Sequence, residues 1–262
     1  MHVLSATENP FRGIVVNPQD LPEDPQAFQP QLAHALADWR DRGLRVVWLE
    51  VPIHKSTLIP IAVAEGFRFH HAGTDYLMLT LQLEEGAFIP PYATHYIGAG
   101  GVVINEGQEL LVVCEKHRRN DRPYYKLPGG ALHPGEHLTE GVMREVLEET
   151  GVRTRFENLV CFRHWHGYRY GKSDIYFVCR LSPLNHDISK QDEEIEECLW
   201  MPVDDYLNSD YVGIFNRHIV RAALNDLGPV PTFVEGYSEP GKHEIFMPAV
   251  YQEAEPDSIK RL

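Results

Sequence analysis

The sequence has few cysteines, few positive charges and no long apolar run. Its 262 residues include only four cysteines, and none of them forms a CxxC pair. Such sparse thiols favour buried, reduced side chains and argue against a disulfide framework. No apolar run approaches the length that a membrane-spanning helix needs. The first residues also lack the charged start and apolar stretch of a signal peptide, so we expect a cytoplasmic protein.

Positive charge is the scarcer sign. The chain carries 24 Lys and Arg against 38 Asp and Glu, which gives a formal net charge of -14. Nucleic acids and anionic membranes bind basic surfaces, so this balance argues against both partners. An anionic small molecule would need local cations, supplied by side chains or by a metal ion.

The apolar pattern of the chain is interrupted across residues 84–94, where Gly86 and the pair Pro90-Pro91 lie. We therefore expect an N-terminal domain over residues 1–90, a second domain over 95–230 and a tail over 231–262. No internal repeat is present.

The first segment predicts a small α/β unit, because strand and helix patterns alternate along it. Strands are expected at 11–16, 44–52 and 75–83, and helices at 31–43 and 56–67, with a proline-rich loop before the first helix.

The second segment predicts a strand from about residue 95 and two β-hairpins, at 100–115 and at 158–181. A strand and turn at 194–206 and a closing helix at 215–227 follow. The residues from 228 onward carry no pattern that predicts a structure.

Residues 130–152, GALHPGEHLTEGVMREVLEETGV, place three carboxylates on one helix face. At about 100° per residue, Glu145, Glu148 and Glu149 span roughly a third of the circumference. Like charges four residues apart repel, and the helix dipole disfavours anions in the last turn. A solvated acidic face is the plain interpretation. A bound divalent cation would instead reverse these costs, because Mg²⁺ prefers oxygen ligands and leaves positions for phosphate.

The full pattern decides between these interpretations. Gly130, Glu136, the run Arg144-Glu145-Val146, the pair Glu148-Glu149 and Gly151-Val152 satisfy GX5EX7REUXEEXGU, where U is aliphatic. This is the Nudix box, and the chain resembles Nudix hydrolases from about residue 95 to 230.

The resemblance implies an α/β fold, a Nudix α/β/α sandwich with a mixed sheet, and hydrolysis of a nucleoside diphosphate linked to another moiety. It also implies Mg²⁺ or Mn²⁺ as cofactor. By motif position, Glu145, Glu148 and Glu149 would be metal ligands, and Arg144 would orient them. Glu136 would be an outer ligand or a structural acid, and Gly130 would bend the chain toward the metal.

The proton acceptor is not fixed by the resemblance. Glu149 is our first candidate, followed by Glu193 or Glu194 in the run SKQDEEIEECLW. Surface charge before a strand is the competing interpretation of that pair.

Two locally basic stretches, residues 116–126 and 163–172, flank the box and are candidates for substrate binding. Arginine suits bidentate phosphate contacts, and an aromatic ring would stack on a base. The candidate substrate-binding residues are Arg118, Arg122, Lys126, Arg163, His166, Arg169 and Tyr168. A solvated loop and a hairpin surface are the alternatives for the two stretches.

Subfamily motifs do not identify the substrate. The SQPWPFPxS motif of one NADH-cleaving group and the coenzyme A signature are both absent, and Gly167 stands where ADP-ribose enzymes often carry proline. Tyr168 resembles a tyrosine of dinucleoside polyphosphate enzymes, so hydrolysis of a dinucleoside polyphosphate or of another nucleotide diphosphate is the alternative function. The order of a small α/β domain, the box, GKSDIYFVCRLSPL and EIEECLWMPVDDY resembles a branch that includes the moiety X motif 6 proteins and plant ADP-ribose/NADH pyrophosphatases. This likeness favours ADP-ribose and NADH, with AMP as product.

The N-terminal segment 44–81 has a strand–helix–Gly-Phe–strand order that faintly resembles part of an acetyltransferase (GNAT) fold. It lacks a QxxGxG/A segment to hold acetyl-CoA, so we expect a noncatalytic domain that serves dimerisation or shapes the cleft. An acyltransferase and a nucleotide-binding regulator on a Nudix scaffold remain the alternatives to a diphosphatase.

Overall fold

The computed structural model describes residues 4–117, 122–225 and 228–233, with residues 235, 240, 244 and 246–247. The chain divides into two compact units, Met1–Thr94 and His95–Leu262. The division lies at the end of residues 84–94, the proline-containing stretch that interrupts the apolar pattern of the sequence.

The first unit is a five-stranded sheet with helices. The sheet has the order β1-β2-β3-β5-β4, in which β2 and β3 are parallel and the other pairs antiparallel. Its elements are β1 (Ala6–Glu8), β2 (Gly13–Val16), α1 (Pro25–Asp41), β3 (Val46–Pro52), α2 (Ile59–Ala64), β4 (Arg68–Ala72) and β5 (Tyr76–Gln82).

Helix α1 begins six residues before its expected start at residue 31. Pro25 occupies the first turn, where its missing N–H costs nothing, and the Asp24 side chain caps the helix by accepting a hydrogen bond from the Gln26 N–H at 2.9 Å. The expected proline-rich loop is therefore partly helix, and Pro30 lies inside it.

One face of this sheet packs against α1. Val47, Leu49 and Val51 alternate along β3 and join the same buried cluster as Phe28 and Trp39 of the helix. Burial of such side chains contributes roughly 25 cal/mol per Å² of apolar area, so this cluster gives the unit a core of its own.

The second unit contains a four-stranded sheet in the order β10-β11-β6-β9 and a three-stranded sheet in the order β12-β7-β8. A two-stranded ribbon, β13 with β14, completes its strands among the described residues. Its elements are β6 (His95–Val103), β7 (Glu109–Glu115), β8 (Tyr125–Lys126), β9 (Gly129–Ala131), α3 (Leu138–Thr150), β10 (Thr154–Trp165), β11 (Ser173–Pro183), β12 (Ile195–Pro202), α4 (Val203–Asn208), α5 (Ile214–Ala223), β13 (Val230–Pro231) and β14 (Phe246–Met247).

The larger sheet is mixed, since β11 runs parallel to β6 and antiparallel to β10. The hairpin expected at 158–181 is present as the β10–β11 pair. The hairpin expected at 100–115 is confirmed next to its turn but not along its strands. Ile104, which follows β6, forms an antiparallel bridge with Leu110, and the Asn105 N–H donates to the Glu109 carbonyl at 3.0 Å. β6 and β7 then belong to different sheets.

Alternating side chains of the strands point to two separate cores. Ala99 and Val103 of β6 pack with Val142 and Val146 of α3. Val102 lies on the opposite side, in the cluster that contains Val220 of α5. This period-two alternation places one helix layer on each face of the strands, which is the expected α/β/α sandwich.

The region after residue 228, for which the sequence predicted nothing, is attached to this sandwich. The Leu159 N–H donates to the Pro229 carbonyl at 2.9 Å, and Val230–Pro231 pairs antiparallel with Phe246–Met247.

All four cysteines are free, as expected, but only Cys114 and Cys179 are buried, whereas Cys161 and Cys198 are half-buried. Within the described part of the chain, no helix combines the length and apolar character needed to cross a bilayer.

Candidate active site

Helix α3 carries the box carboxylates and is fixed at both ends. Gly151 ends it in the left-handed conformation, with φ 75°, which a glycine adopts without steric cost. At the other end, Glu244 accepts hydrogen bonds from the N–H groups of Leu138 and Thr139, at 2.7 and 3.2 Å. The helix therefore presents its acidic residues at defined positions.

Arg144 connects the acids of the box. Its guanidinium binds Glu136 through two parallel hydrogen bonds, Nε–H to Oε1 at 2.7 Å and Nη2–H to Oε2 at 2.9 Å. Its Nη1 donates to Glu145 Oε1 at 2.9 Å and to Glu148 Oε2 at 3.0 Å. One cation thus holds three carboxylates, which is compatible with the orienting role that the resemblance implies for Arg144.

Glu136 is the most strongly held of these acids. The hydrogen bonds from Arg144 lower the pKa of Glu136 to about 2, and the His133 N–H also donates to it at 2.8 Å. The same pairing raises the pKa of Arg144, so both groups stay charged. Glu136 therefore acts on the site through Arg144.

Glu149 lies in a different environment. It is 7% exposed, and this burial raises its pKa to about 7. The Gly129 N–H donates to Glu149 Oε2 at 2.9 Å. A carboxyl group with a pKa near neutrality can take or release a proton under ordinary conditions.

Two glycines allow the chain to pass close to these acids. A Cβ on Gly130 would lie 2.5 Å from Glu145 Oε2, and one on Gly129 would lie 2.2 Å from the Ala99 carbonyl oxygen. Gly129 also has φ 150°. Gly130 therefore leaves room for the Glu145 carboxylate, and Gly129 leaves room for the backbone of β6.

The donor chemistry of this cluster fits a hard divalent cation. Among the described residues, the hydrogen bonds of Glu145, Glu148 and Glu149 each use one carboxylate oxygen, namely Oε1, Oε2 and Oε2. The other three oxygens remain for ligands, and oxygen-only sites suit Mg²⁺ or Mn²⁺. No three described His, Cys, Asp or Glu side chains already stand at metal-ligand spacing. The free oxygens would have to turn toward a common point.

The acids line a cleft of about 790 Å³. Its walls come from β6, β9, β11 and α3, from the ends of β7 and β8, and from the turn between β10 and β11. The lining residues are Tyr96, Ile97, Gly98, Glu115, Lys126, Gly129, Gly130, Ala131, His133, Arg144, Glu145, Glu148, Glu149, Tyr168, Arg169, Tyr170, Asp174, Tyr176, Gln191 and Glu194.

The cleft brings together only part of the expected substrate-binding set. Lys126, Tyr168 and Arg169 line it, and Lys126 is paired with Glu115. Glu194, the second candidate base, is exposed in the same cleft, whereas Glu193 is not among the lining residues.

The remaining candidates lie elsewhere. Arg163 pairs with Asp174 at 2.6 Å, and His166 Nδ1 lies 2.9 Å from Ser173 Oγ. These two residues and the exposed Arg122 are not among the cleft-lining residues. Arg118 lies outside the described residues.

Sequence reasoning missed several lining residues. Asp174 and Tyr176 belong to β11, and Tyr96 belongs to β6. Gly98 and Gly100 would have indicated this wall, because a Cβ on either would meet the Tyr176 ring within 3.0 Å. Two glycines two residues apart in a strand indicate a close approach on one face.

Similarity to known proteins agrees with this site. A model of the NUDIX domain matches residues 94–223, and a model described as Nudix hydrolase domain matches residues 4–83. The GNAT-like character of the first unit stays a prediction.

Relatives match most of the chain. Nudix hydrolase 8 of Arabidopsis thaliana is 39% identical over 213 residues, which is 80% of this chain and 58% of that protein. Nucleoside diphosphate-linked moiety X motif 6 of Homo sapiens is 35% identical over 232 residues, 87% of this chain and 71% of that protein. Among solved structures, a NUDIX hydrolase from Nitrosomonas europaea covers 54% of this chain and 98% of its own, with 22% identity and a TM-score of 0.45. With the intact box and its carboxylate cleft, the 35% identity to the human relative over 71% of that protein shows that the chain belongs to the Nudix hydrolase family.

Proposed function

We propose that the protein hydrolyses the diphosphate linkage of a nucleoside diphosphate derivative in the presence of Mg²⁺ or Mn²⁺, with ADP-ribose and NADH as substrates and AMP as a product. One observation carries this proposal. Three glutamates of one helix turn direct carboxylates into a cleft of about 790 Å³ while keeping one oxygen each out of the hydrogen bonds of the described residues.

The metal would be held by Glu145, Glu148 and Glu149, with Gly130 providing the space beside Glu145. A bound divalent ion neutralises phosphate oxygens and lowers the pKa of a water molecule. Arg144 keeps Glu145 and Glu148 oriented, and Glu136 fixes Arg144 from its other side. The box therefore contains an arginine that orients the carboxylates which would bind the metal.

Glu149 is the proposed proton acceptor, through its Oε1 atom. Its Oε2 atom accepts one hydrogen bond from the Gly129 N–H and keeps a second lone pair, through which it would bind the metal. Its burial holds the pKa near 7, close to the value that general base catalysis at neutral pH requires. Glu194 is the alternative base, since it is exposed in the same cleft. Turnover that persists in Glu194→Gln and is lost in Glu149→Gln would support the first assignment.

The cleft favours a substrate that carries phosphates. Lys126, Arg144 and Arg169 provide cations among the acids of the cleft, and arginine binds phosphate oxygens in pairs. The name of the human relative refers to a nucleoside diphosphate-linked moiety, which agrees with this class. ADP-ribose contains such a diphosphate.

The central test replaces Glu148 by Gln, which keeps the size of the side chain and removes its charge. The glutamine variant is expected to lose at least about 100-fold in kcat with ADP-ribose and Mg²⁺, because several kcal/mol of metal-dependent stabilisation are removed. Turnover is measured as AMP release with ADP-ribose, NADH and dinucleoside polyphosphates, each with Mg²⁺ and with EDTA.

Glu140→Gln is the matched control. Glu140 lies in the same helix, but its carboxylate accepts a hydrogen bond from the His137 N–H and does not line the cleft. Unchanged turnover in Glu148→Gln, or tight ADP-ribose binding without any metal-dependent turnover in the wild type, would contradict the proposal. The second outcome would indicate a nucleotide-binding regulator.

A further inference from the structure

One aromatic side chain at the cleft stands apart from its neighbours. Tyr170 lies in the turn between β10 and β11, is 90% exposed and lines the same cleft as the box glutamates. Its backbone adopts the left-handed conformation, with φ 54° and ψ 33°. This conformation costs a non-glycine residue roughly 1 kcal/mol or more, and such costs persist mostly at functional positions.

The turn as a whole supports this unusual backbone. Gly167 and Gly171 flank Tyr170 with φ of 73° and 71°, and neither would meet another atom within 4 Å if it carried a Cβ. Tyr170 and these two glycines place three left-handed residues within five positions of the turn. The Tyr170 ring lies at the cleft and is not packed onto the protein, since 90% of the residue is exposed.

The neighbouring Tyr168 ring already packs against other side chains of the protein. Tyr168 packs against Trp165 at 5.2 Å and Tyr96 at 6.0 Å between ring centroids, and the Arg169 guanidinium lies 5.4 Å from its centre. Within the described residues, Tyr170 has no ring contact, cation–π contact or hydrogen bond of its own. Both faces of its ring are open to a planar ligand.

We infer that Tyr170 stacks on the nucleobase of the substrate and makes the β10–β11 turn the nucleoside subsite. This inference rests on the proposed function, since it assigns one end of the cleft to the base. Every base offers a π-face, so the contact selects nucleosides over simple diphosphates without choosing among bases. The sequence pointed to Tyr168 for stacking, but that ring is engaged by the protein itself.

The location of the contact determines its kinetic effect. The base is separated from the reacting phosphates, so stacking stabilises the bound substrate and the transition state equally. Its loss is expected to raise KM more than it lowers kcat. A structural defect at the carboxylates would instead lower kcat.

The test compares Tyr170→Ala and Tyr170→Phe on two substrates. ADP-ribose carries a base, and ribose 5-diphosphate carries the sugar and diphosphate without one. Tyr170→Ala is expected to raise the KM for ADP-ribose about 5- to 150-fold, which corresponds to about 1–3 kcal/mol of stacking. Tyr170→Phe keeps the ring and should restore the affinity. The KM for ribose 5-diphosphate should respond to neither substitution.

Tyr211→Ala is the control for removing an exposed tyrosine, because Tyr211 is 44% exposed in the same unit and does not line the cleft. An unchanged KM for ADP-ribose in Tyr170→Ala would overturn the inference. An equal rise for both substrates would also overturn it, because the effect would then come from the shape of the turn.

Failure of the proposed function gives a different result. If the wild type hydrolyses neither substrate with Mg²⁺ or Mn²⁺, the diphosphatase assignment fails, and AMP binding by calorimetry still tests Tyr170. Weaker AMP binding in Tyr170→Ala than in Tyr170→Phe supports the stacking contact, and equal binding excludes it.

Discussion

At the residue scale, Arg144 resolves the charge problem that the sequence poses. The box places Glu145 and Glu148 where they repel each other, yet both accept hydrogen bonds from the same Nη1 atom. Glu136, which lies outside the helix, completes the coordination of the guanidinium. The arginine thus offsets part of the repulsion before any metal binds.

Two adjacent glycines should respond differently to the same substitution. In Gly130→Ala the atoms nearest to the new Cβ belong to the flexible end of Glu145, at 2.5 Å, so we expect the carboxylate to move and the fold to be kept. We expect a change in unfolding free energy of less than about 1 kcal/mol, together with at least a tenfold loss of kcat. Urea denaturation and AMP release measure the two effects.

Gly129→Ala is the matched comparison. Its Cβ would meet the backbone of β6 at 2.2 Å and would require φ 150°, so we expect the unfolding free energy to fall by more than about 2 kcal/mol. Equal stability losses in the two alanine variants would disprove the separate roles assigned to these glycines.

At the scale of secondary-structure elements, α3 depends on a residue about a hundred positions away. The Glu244 carboxylate accepts hydrogen bonds from the Leu138 and Thr139 N–H groups and from the Thr139 hydroxyl, the last at 2.7 Å. The N-terminus of a helix has unpaired N–H groups and a positive dipole end, so a carboxylate there is favourable. The tail region thereby helps to fix the helix that carries the box.

Removing this carboxylate should loosen α3. Glu244→Ala is expected to lower the unfolding free energy by about 1–2 kcal/mol, the usual effect of losing a helix cap and its charge. Urea denaturation followed by circular dichroism measures it. Glu235→Ala, which removes an exposed glutamate from the same region, is the control and should leave the midpoint unchanged. Identical midpoints for both variants would show that Glu244 does not stabilise the helix.

The elements that the sequence predicted well are those with strong local patterns. The apolar spacing of residues 31–43 and the alternation along 44–52 correspond to α1 and β3. The start of α1 was missed because Pro25 and Pro30 suggest a loop, although proline is favourable in a first turn. β1 and β4 were missed because their residues are mostly exposed and lack alternation.

The candidate site was predictable to the extent that it is local in sequence. The box acids follow one another on a single helix, so their spacing was sufficient to place them together. The remainder of the cleft comes from β6, β11 and the turn that carries Tyr170, which only the pairing of β11 with β6 brings together. No pattern within one segment records that pairing, and this is also why the hairpin expected at 100–115 did not indicate that β6 and β7 belong to different sheets.

At the scale of the whole molecule, the two units have separate cores, so metal binding should stabilise them unequally. The cluster that contains Trp39 includes only residues of the first unit, and α3 packs within the second. Saturating Mg²⁺ at about 100 times its Kd adds about 2.7 kcal/mol to a folded state that binds it. Amide exchange in α3 (Leu138–Thr150) should then slow by up to about 100-fold, while that in β3 (Val46–Pro52) should not change. Hydrogen–deuterium exchange with mass spectrometry measures both segments in one experiment.

In Glu148→Gln the effect of Mg²⁺ on amide exchange in α3 should disappear. If Mg²⁺ protects α3 equally in the variant, or protects neither segment in the wild type, the three glutamates do not form the metal site.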